Sequence, residues 1–548
     1  MIVVSAAEMR RLDELTIHRY GTPGHVLMER AGRGAARVLL ARFPRVRRGR
    51  VLVCAGKGNN GGDGFVIART LRRLGTRVEV VLLGTQQDVR GDAARMLASL
   101  RRTRAPITEV TSRADLTALA GKLDNATVLV DAIFGTGLNA PVGGRYADLI
   151  ELMNASGVPI FAVDIPSGLD ADRGTPLRVA IHADVTATFG FAKIGQVVYP
   201  GVEHVGTLAV VDIGTAVEAV AEVQPRTQLL EAAQTGRLLP GRAAQAHKGT
   251  CGHVLVIAGS RGRTGAALLA THAAARAGAG LTTLAGPTSL NTVLASGIPE
   301  AMTALLADTD GLVRFDELQM RALVEGKSAI VVGPGIGTHE DAGKLVRFLI
   351  EKIALPMVVD ADALTCVARQ LEILHGAQAA VLLTPHPGEM ARLLGSDAAS
   401  VQADRVATAR TFAAAHDCTL VLKGARSVIA AADGSAWINP TGNPGMASGG
   451  MGDALAGILG GLLAQGLTPA AAACLGVYLH GAVADQVAAT TGQFGLLASD
   501  VIAGVPAGLA RLQAQARAGA SPATRKTPVK EAARRSSSSP RPARRRLQ

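Results

Sequence analysis

Short runs of Val, Ile, Leu and Ala, most closed by glycine and many followed by a helix-like stretch, recur along most of this chain and leave few folds open to it. One series reads "VLVCAG", "VEVVLLG", "TVLVDAIFG", "PIFAVDIPSG", "DVTATFG" and "GTLAVVDIG", from about residue 50 to residue 211. Another begins with "GHVLVIAGS" and continues through "SAIVVGPGIG", "PMVVDADAL", "AAVLLTPHPGEM" and "TLVLKGARSVIA". Continuous apolar runs alternating with helices belong to mostly parallel sheets covered on both faces. A chain of 548 residues is too long for one core. The spacing therefore predicts two α/β domains, with the boundary between about residues 215 and 246. Only 3% of residues are aromatic while 48% are hydrophobic and 64 are glycine, so Ala, Val, Leu and Ile must fill both interiors.

The net charge of +13 suggests a nucleic-acid binder until its distribution is read. Residues 513–548 carry ten Lys/Arg against one Glu, so nine of the thirteen charges lie there and +4 is left for the first 512 residues. That stretch, rich in Ser, Pro and Arg, is expected to be a disordered basic tail without a specific nucleic-acid partner. The five cysteines are far apart and form no C-x-x-C pair, which argues against a zinc site or a disulfide framework. The start lacks a secretory pattern, and the longest apolar stretch, "PAAAACLGVYLHGAVA", is too short to span a bilayer. A cytoplasmic protein without a membrane partner is expected.

"GKGNNGGDG", residues 56–64, follows the apolar "RVLVCA" and precedes "FVIARTLRRLG". Such a glycine-rich turn at a helix start exposes backbone N–H groups to an anion or polar ligand. It lacks the Lys-Ser/Thr of a phosphate-binding P-loop. It satisfies G-x-G-x-x-G, but Glu79, the candidate ribose-binding acid, falls in the middle of its strand. A dinucleotide fingerprint, another ligand loop and a structural turn all stay open at this point. Two further aspartates, Asp131 and Asp164, close strands, where an open parallel sheet forms its ligand crevice. With Asn59, Asn60 and Ser167 they offer oxygen ligands suited to a hard cation. Either aspartate alone could equally cap a turn.

In the second half, Gly449, Gly450, Met451 and Gly452 lead into Asp453 and an apolar helix. Amides there can hold a transferring phosphoryl group while Asp453 meets the acceptor hydroxyl. A plain N-cap is the other reading of Asp453. The helix N-terminus is expected to lower its pKa and leave it a weak base, which phosphoryl transfer tolerates.

Taken in order, these motifs resemble the bifunctional NAD(P)H-hydrate repair enzymes. "GKGNNGGDG", "DAIFGTGL" and "DIPSGLDAD" resemble the epimerase half, and "AHKGTCGHVLVIAGS", "GPGIG", "DADAL", "TPHPGEM", "LKGARSVI" and "GNPGMASGGMGDALAGI" the dehydratase half. The likeness covers roughly residues 1–510. It implies a Rossmann-like three-layer α/β/α epimerase domain (1–220), a ribokinase-like α/β dehydratase domain (221–512) and the tail (513–548).

By that resemblance, Asn59, Asn60, Gly61, Gly62 and Asp63 cradle the hydrated NADH or NADPH, and Asn60, Asp131 and Ser167 hold a potassium ion. Gly135, Thr136, Gly137 and Leu138, followed by Asn139, Ala140 and Pro141, contact substrate. Asp164 binds near the reacting carbon and is the implied proton-transfer group. In the dehydratase half Ala266, Gly335, His386 and Asp453 meet the hydrated nucleotide, with Asp453 catalytic. Lys423, Gly424, Ala425, Arg426, Ser427 and Gly452 bind the adenine nucleotide, ADP with magnesium. His386, between two prolines, has a purely structural alternative. The resemblance also implies a homo-oligomer such as a homotetramer. The competing reading is a ribokinase-like small-molecule kinase fused to a non-catalytic ligand-binding or scaffold domain.

Overall fold

The computed structural model describes residues 1–520. Its first half is built on a seven-stranded sheet in the order Ile107–Glu109, Arg77–Leu82, Arg50–Ala55, Val128–Ala132, Ile160–Val163, Val185–Phe189 and Thr207–Val211, every pairing parallel. In chain order that is third, second, first, then fourth to seventh. The winding direction reverses between Arg50–Ala55 and Val128–Ala132, and an open parallel sheet forms its ligand crevice outside the carboxyl ends at such a point.

The second half repeats the order. Met302–Leu306, Leu281–Pro287, His253–Ile257, Ala329–Val332, Met357–Val359, Val381–Leu383 and Thr419–Leu422 run parallel, with the reversal between His253–Ile257 and Ala329–Val332. Val428–Ala430 and Ala436–Ile438 then extend the sheet antiparallel.

Alternation along the central strands shows why continuous apolar runs were needed. Val51 and Val53 enter a core with Phe65 and Leu97, whereas Leu52 and Cys54 enter another with Ile150 and Met153. Leu255 and Ile257 likewise face one layer of the second half, and Val254 and Val256 the other. Each half is thus a sheet between two helical layers, as expected.

The boundary is less simple than expected. Thr227–Leu229, inside the segment read as a connection, pairs parallel with Ala436–Ile438 on one side and antiparallel with Ile2–Val4 on the other. Ile2–Val4 then pairs parallel with Ala192–Lys193, so the second sheet has twelve strands and draws in two pieces of the first half. Sequence spacing missed this because strands of two or three residues carry no periodicity. At the other end, residues 513–520, assigned to the tail, continue the helix Ala498–Ala520, and the rest of the tail lies outside the described residues. Among the described residues no helix is long and apolar enough to cross a membrane.

Two candidate active sites

The first site is a cavity of about 690 Å³ at the reversal point of the seven-stranded sheet. The helix over it starts earlier than the sequence suggests. Asn59–Arg73 is one helix, so the Asn-Asn-Gly-Gly-Asp segment is its first turn and not a loop before it. Tertiary packing overrides the low helix propensity of glycine here. A Cβ at Gly56 would stand 2.1 Å from the Ile133 carbonyl oxygen, so only glycine lets the two strand-end loops touch.

Asp164 follows the fifth strand directly and takes a left-handed conformation, φ 64°. Such backbone persists where its surroundings fix it. Its Oδ1 accepts from Lys193 Nζ at 2.5 Å, from the Phe189 amide at 3.1 Å and from Thr188 Oγ1 at 3.2 Å. Gln196 Nε2 donates to its carbonyl at 2.6 Å. Lys193 is fully buried, and Asp164 is its ion-pair partner. Breaking such a pair typically costs about 3–5 kcal/mol.

Beneath the floor, Asp131 and Ser167 are completely buried. Ser167 donates to Asp131 through its hydroxyl at 2.5 Å and its amide at 2.7 Å, the Phe134 amide donates to Ser167 Oγ at 2.8 Å, and Asn60 Nδ2 donates to the Phe134 carbonyl at 2.7 Å. Burial pushes Asp131 up to about 6 against these hydrogen bonds. No ion pair reaches it among the described residues.

Of the residues expected here, Asn59, Asn60, Asp63, Gly135, Thr136, Gly137, Leu138, Asn139 and Asp164 line the cavity. Gly61 and Gly62 are buried behind its wall, while Ala140 and Pro141 are exposed outside the lining. Glu79 is no ribose ligand: it receives Arg50 at 2.7 Å, Lys122 at 2.5 Å and Thr108 at 3.0 Å in the side of the sheet.

The second site lies at the matching reversal point. Ser260 Oγ donates to the Gly335 carbonyl at 2.7 Å, joining the loops after the first and fourth strands, and Ala266 packs beside Gly335. Asp360 follows the fifth strand and accepts from Lys423 Nζ at 2.8 Å and from Thr384 Oγ1 at 2.7 Å. Glu389 is 3.6 Å from the same ammonium. Burial works to lower Lys423, but Asp360, Glu389 and Asp453 prevail and raise it. A Cβ at Gly452 would sit 3.5 Å from Lys423 Nζ and 3.8 Å from Asp360 Oδ2, which brings Gly452 and its neighbour Asp453 up to this pair.

The helix Met451–Ala464 begins after Gly450, whose φ of 86° is natural only to glycine. Asp453 stands in its first turn, yet its pKa is raised to about 6, not lowered. Burial is the largest cause, and the carboxylates of Asp360, Asp362 and Glu389 add to it against Lys423. The expectation of a weak base is therefore reversed.

His386 caps the helix Pro387–Leu394: its Nδ1 accepts from the Gly388 and Glu389 amides at 3.0 and 3.2 Å. Its structural reading holds, while its ring still lines a second cavity of about 630 Å³ with Asp362, Glu389, Arg369 and Arg392. Asp453 is outside that lining. Gly424, Ala425, Arg426 and Ser427 form the turn between two strands, closed by Ser427 Oγ donating to the Gly424 carbonyl at 2.9 Å.

The comparisons agree with this division. Residues 24–195 match the family described as YjeF-related protein N-terminus, and residues 254–506 match NAD(P)H-hydrate dehydratase. The chain is similar to the bifunctional NAD(P)H-hydrate repair enzyme Nnr of Moorella thermoacetica, 43% identical across 94% of this chain and 97% of that one. The Escherichia coli enzyme of the same name is 36% identical, covering 90% and 92%. The chain belongs to the bifunctional NAD(P)H-hydrate repair enzyme family. A solved ADP/ATP-dependent NAD(P)H-hydrate dehydratase from Bacillus subtilis, co-crystallized with ATP/Mg2+, is 33% identical, covers 52% of this chain and 98% of its own, and superposes with a TM-score of 0.46. For this repair-enzyme chain, sequence reasoning missed Asp13, Lys193, Asp360 and Glu389. Asp360 and Glu389 stood inside recognised motifs, and Lys193 followed a strand ending in glycine. Asp13 gave no local signal.

Proposed function

We propose that the N-terminal half interconverts the R and S hydrates of NADH and NADPH, and that the C-terminal half dehydrates the S form with ADP, releasing AMP and phosphate. The observation that carries this is the pair of separately built strand-end sites, each with its own Asp–Lys pair, in a chain whose relatives of that name match it over 94% and 90% of its length. Those relatives span both halves, which favours this reading over a kinase fused to a scaffold.

In the first site Asp164, anchored through Oδ1, keeps Oδ2 for the substrate and takes the proton of the hydroxyl on the reacting carbon. The first helical turn, Asn59–Asp63, and the 135–139 loop bind the nucleotide, with Ala140 and Pro141 at the rim. Asn60, Asp131 and Ser167 fit a potassium ion: their donors are hard oxygens, and Asp131 is a buried carboxylate lacking a cationic partner. The ion would supply charge compensation under the substrate.

In the second site Asp453 accepts the C6 hydroxyl proton as that oxygen attacks the terminal phosphorus of ADP. Hydroxide leaves poorly; phosphate leaves well, and its elimination restores the nicotinamide ring. Lys423 and the amides after Gly450 neutralise the transferring group, and 424–427 hold the nucleotide. Ala266, Gly335 and His386 wall the hydrated ring. Magnesium bound with ADP would neutralise charge on the transferring phosphoryl group.

The five free cysteines support a reducing, cytoplasmic setting. A domain division near residue 220 and assembly as a homo-oligomer complete the proposal. The test is to incubate purified protein with mixed NADH hydrates, with and without ADP or ATP. Recovery of nearly all reduced-nicotinamide absorbance with ADP is expected; a phosphorylated product that persists would establish the kinase reading instead.

A further inference from the structure

The first cavity holds two carboxyl groups that the Asp164–Lys193 pair does not explain. Asp13 lies on the helix Ala6–Glu14, whose start is fixed by the Ser5–Glu8 capping box and by Asp172 Oδ1 accepting from the Ala6 amide at 2.7 Å. So anchored, the helix contributes Asp13 to the cavity lining, and its Oδ1 is buried with no hydrogen-bond partner. Asp63, only 8% exposed and on the same lining, also ends in a buried, unpartnered Oδ1. Buried carboxyl oxygens left without donors are unfavourable, and two of them on one cavity mark polar atoms kept for a ligand.

Asp164 differs. Its Oδ1 already accepts from three donors, so it is held as a proton acceptor. Epimerisation at a carbon bearing a hydroxyl and a ring nitrogen needs more than an acceptor. The hydroxyls of the two epimers project from opposite faces of the ring, so one group cannot serve both.

We propose that Asp13 is a second proton-transfer group of this cavity, working on the ring face opposite Asp164. The proposal rests on the epimerase reading of the site. Asp164 takes the hydroxyl proton; the O–H electron pair becomes the second C=O bond as the C6–N1 bond breaks, leaving its pair on N1, conjugated with the carboxamide. The aldehyde turns, the N1 pair re-forms the bond from the other face, and the new alkoxide takes the proton of Asp13. The reverse reaction exchanges the two roles, and solvent returns the proton between turnovers. Burial and the Asp164 carboxylate push Asp13 up to about 6, against Lys193, so it can hold a proton near neutrality. Asp164 and Lys193 act on it by charge; Asp63, itself raised well above the usual carboxylate range chiefly by burial, feels its charge in turn, and Arg10, Lys57 and Asp92 also line the cavity.

The experiment uses the full chain, purified R hydrate and no ADP, with the epimer ratio followed by chromatography. Wild-type kcat should fall as pH rises through about 6, because with both carboxyls ionised neither can donate. Asp13→Asn should lower kcat about 100-fold with KM little changed, lose that limb, and leave dehydration of the S hydrate intact, which shows that the protein is folded. Asp13→Glu should restore part of the rate and the limb. The proposal is overturned if Asp13→Asn keeps the rate or the limb, or if Asp13→Glu behaves no better than Asn. A wild type that interconverts nothing overturns the epimerase reading itself.

Discussion

Both halves of the chain place an aspartate directly after the fifth strand of the same strand order and tie it to a lysine, fully buried in the first half and half-buried in the second: Asp164 to Lys193, Asp360 to Lys423. They differ in how another carboxyl reaches the pair. In the first half Asp13 comes from a helix before the sheet begins, and the cavity is closed around it by the 56–64 and 134–139 segments. In the second Asp453 comes on a glycine-led helix N-terminus, where free amides favour an anion. The scaffold fixes where a ligand sits; the element that delivers the added carboxyl decides whether the site moves only protons or also handles a phosphoryl group.

The comparison breaks most sharply at Asp453. Asp453→Asn should reduce ADP-dependent dehydration by about 100-fold or more while R-to-S conversion is unchanged, measured on each purified epimer. Near wild-type dehydration would remove Asp453 from the chemistry. Next comes the potassium site proposed for the first half. Asp131→Ala should weaken binding of the hydrates to the first site by about tenfold or more, and lithium in place of potassium should imitate it in the wild type. An epimerase indifferent to both would dismiss the ion.

The pH profiles give a subtler contrast. Asp453, raised to about 6, must be ionised to accept a proton, so the dehydratase kcat should rise through that pH while the epimerase kcat falls. Parallel profiles would mean that the two carboxyls play the same part. The smallest effect concerns the helix end. Leu512 is buried and Ala516 packs close to Gly236, so truncation after Leu512 should lower Tm by a few degrees at most and leave both activities in place.

Much of this was legible in the residues. Continuous apolar strands, their glycine punctuation and the aspartates at strand ends follow from local chemistry, and the motif order carried the family. What stayed hidden was long-range. Asp13 meets Asp164 only after about 150 residues of intervening sheet have folded, and Ile2–Val4 finds Thr227–Leu229 and Ala192–Lys193 across still longer separations. The pKa of Asp453 was misjudged for a related reason: the helix dipole is local and readable, whereas the burial that raises it, and after that Asp360, Asp362 and Glu389, come from distant segments.

The central claim is that the first site feeds the second. It is tested by the time course of NADH recovery from a mixture of R and S hydrates with ADP. The intact chain should run to near completion in one phase. Asp164→Ala should stop abruptly when the S form is spent and continue only at the spontaneous rate of epimerisation, and adding an active N-terminal half should restore the second phase. A single fast phase to completion with Asp164→Ala would contradict the account, since the R form would then reach the second site without the first.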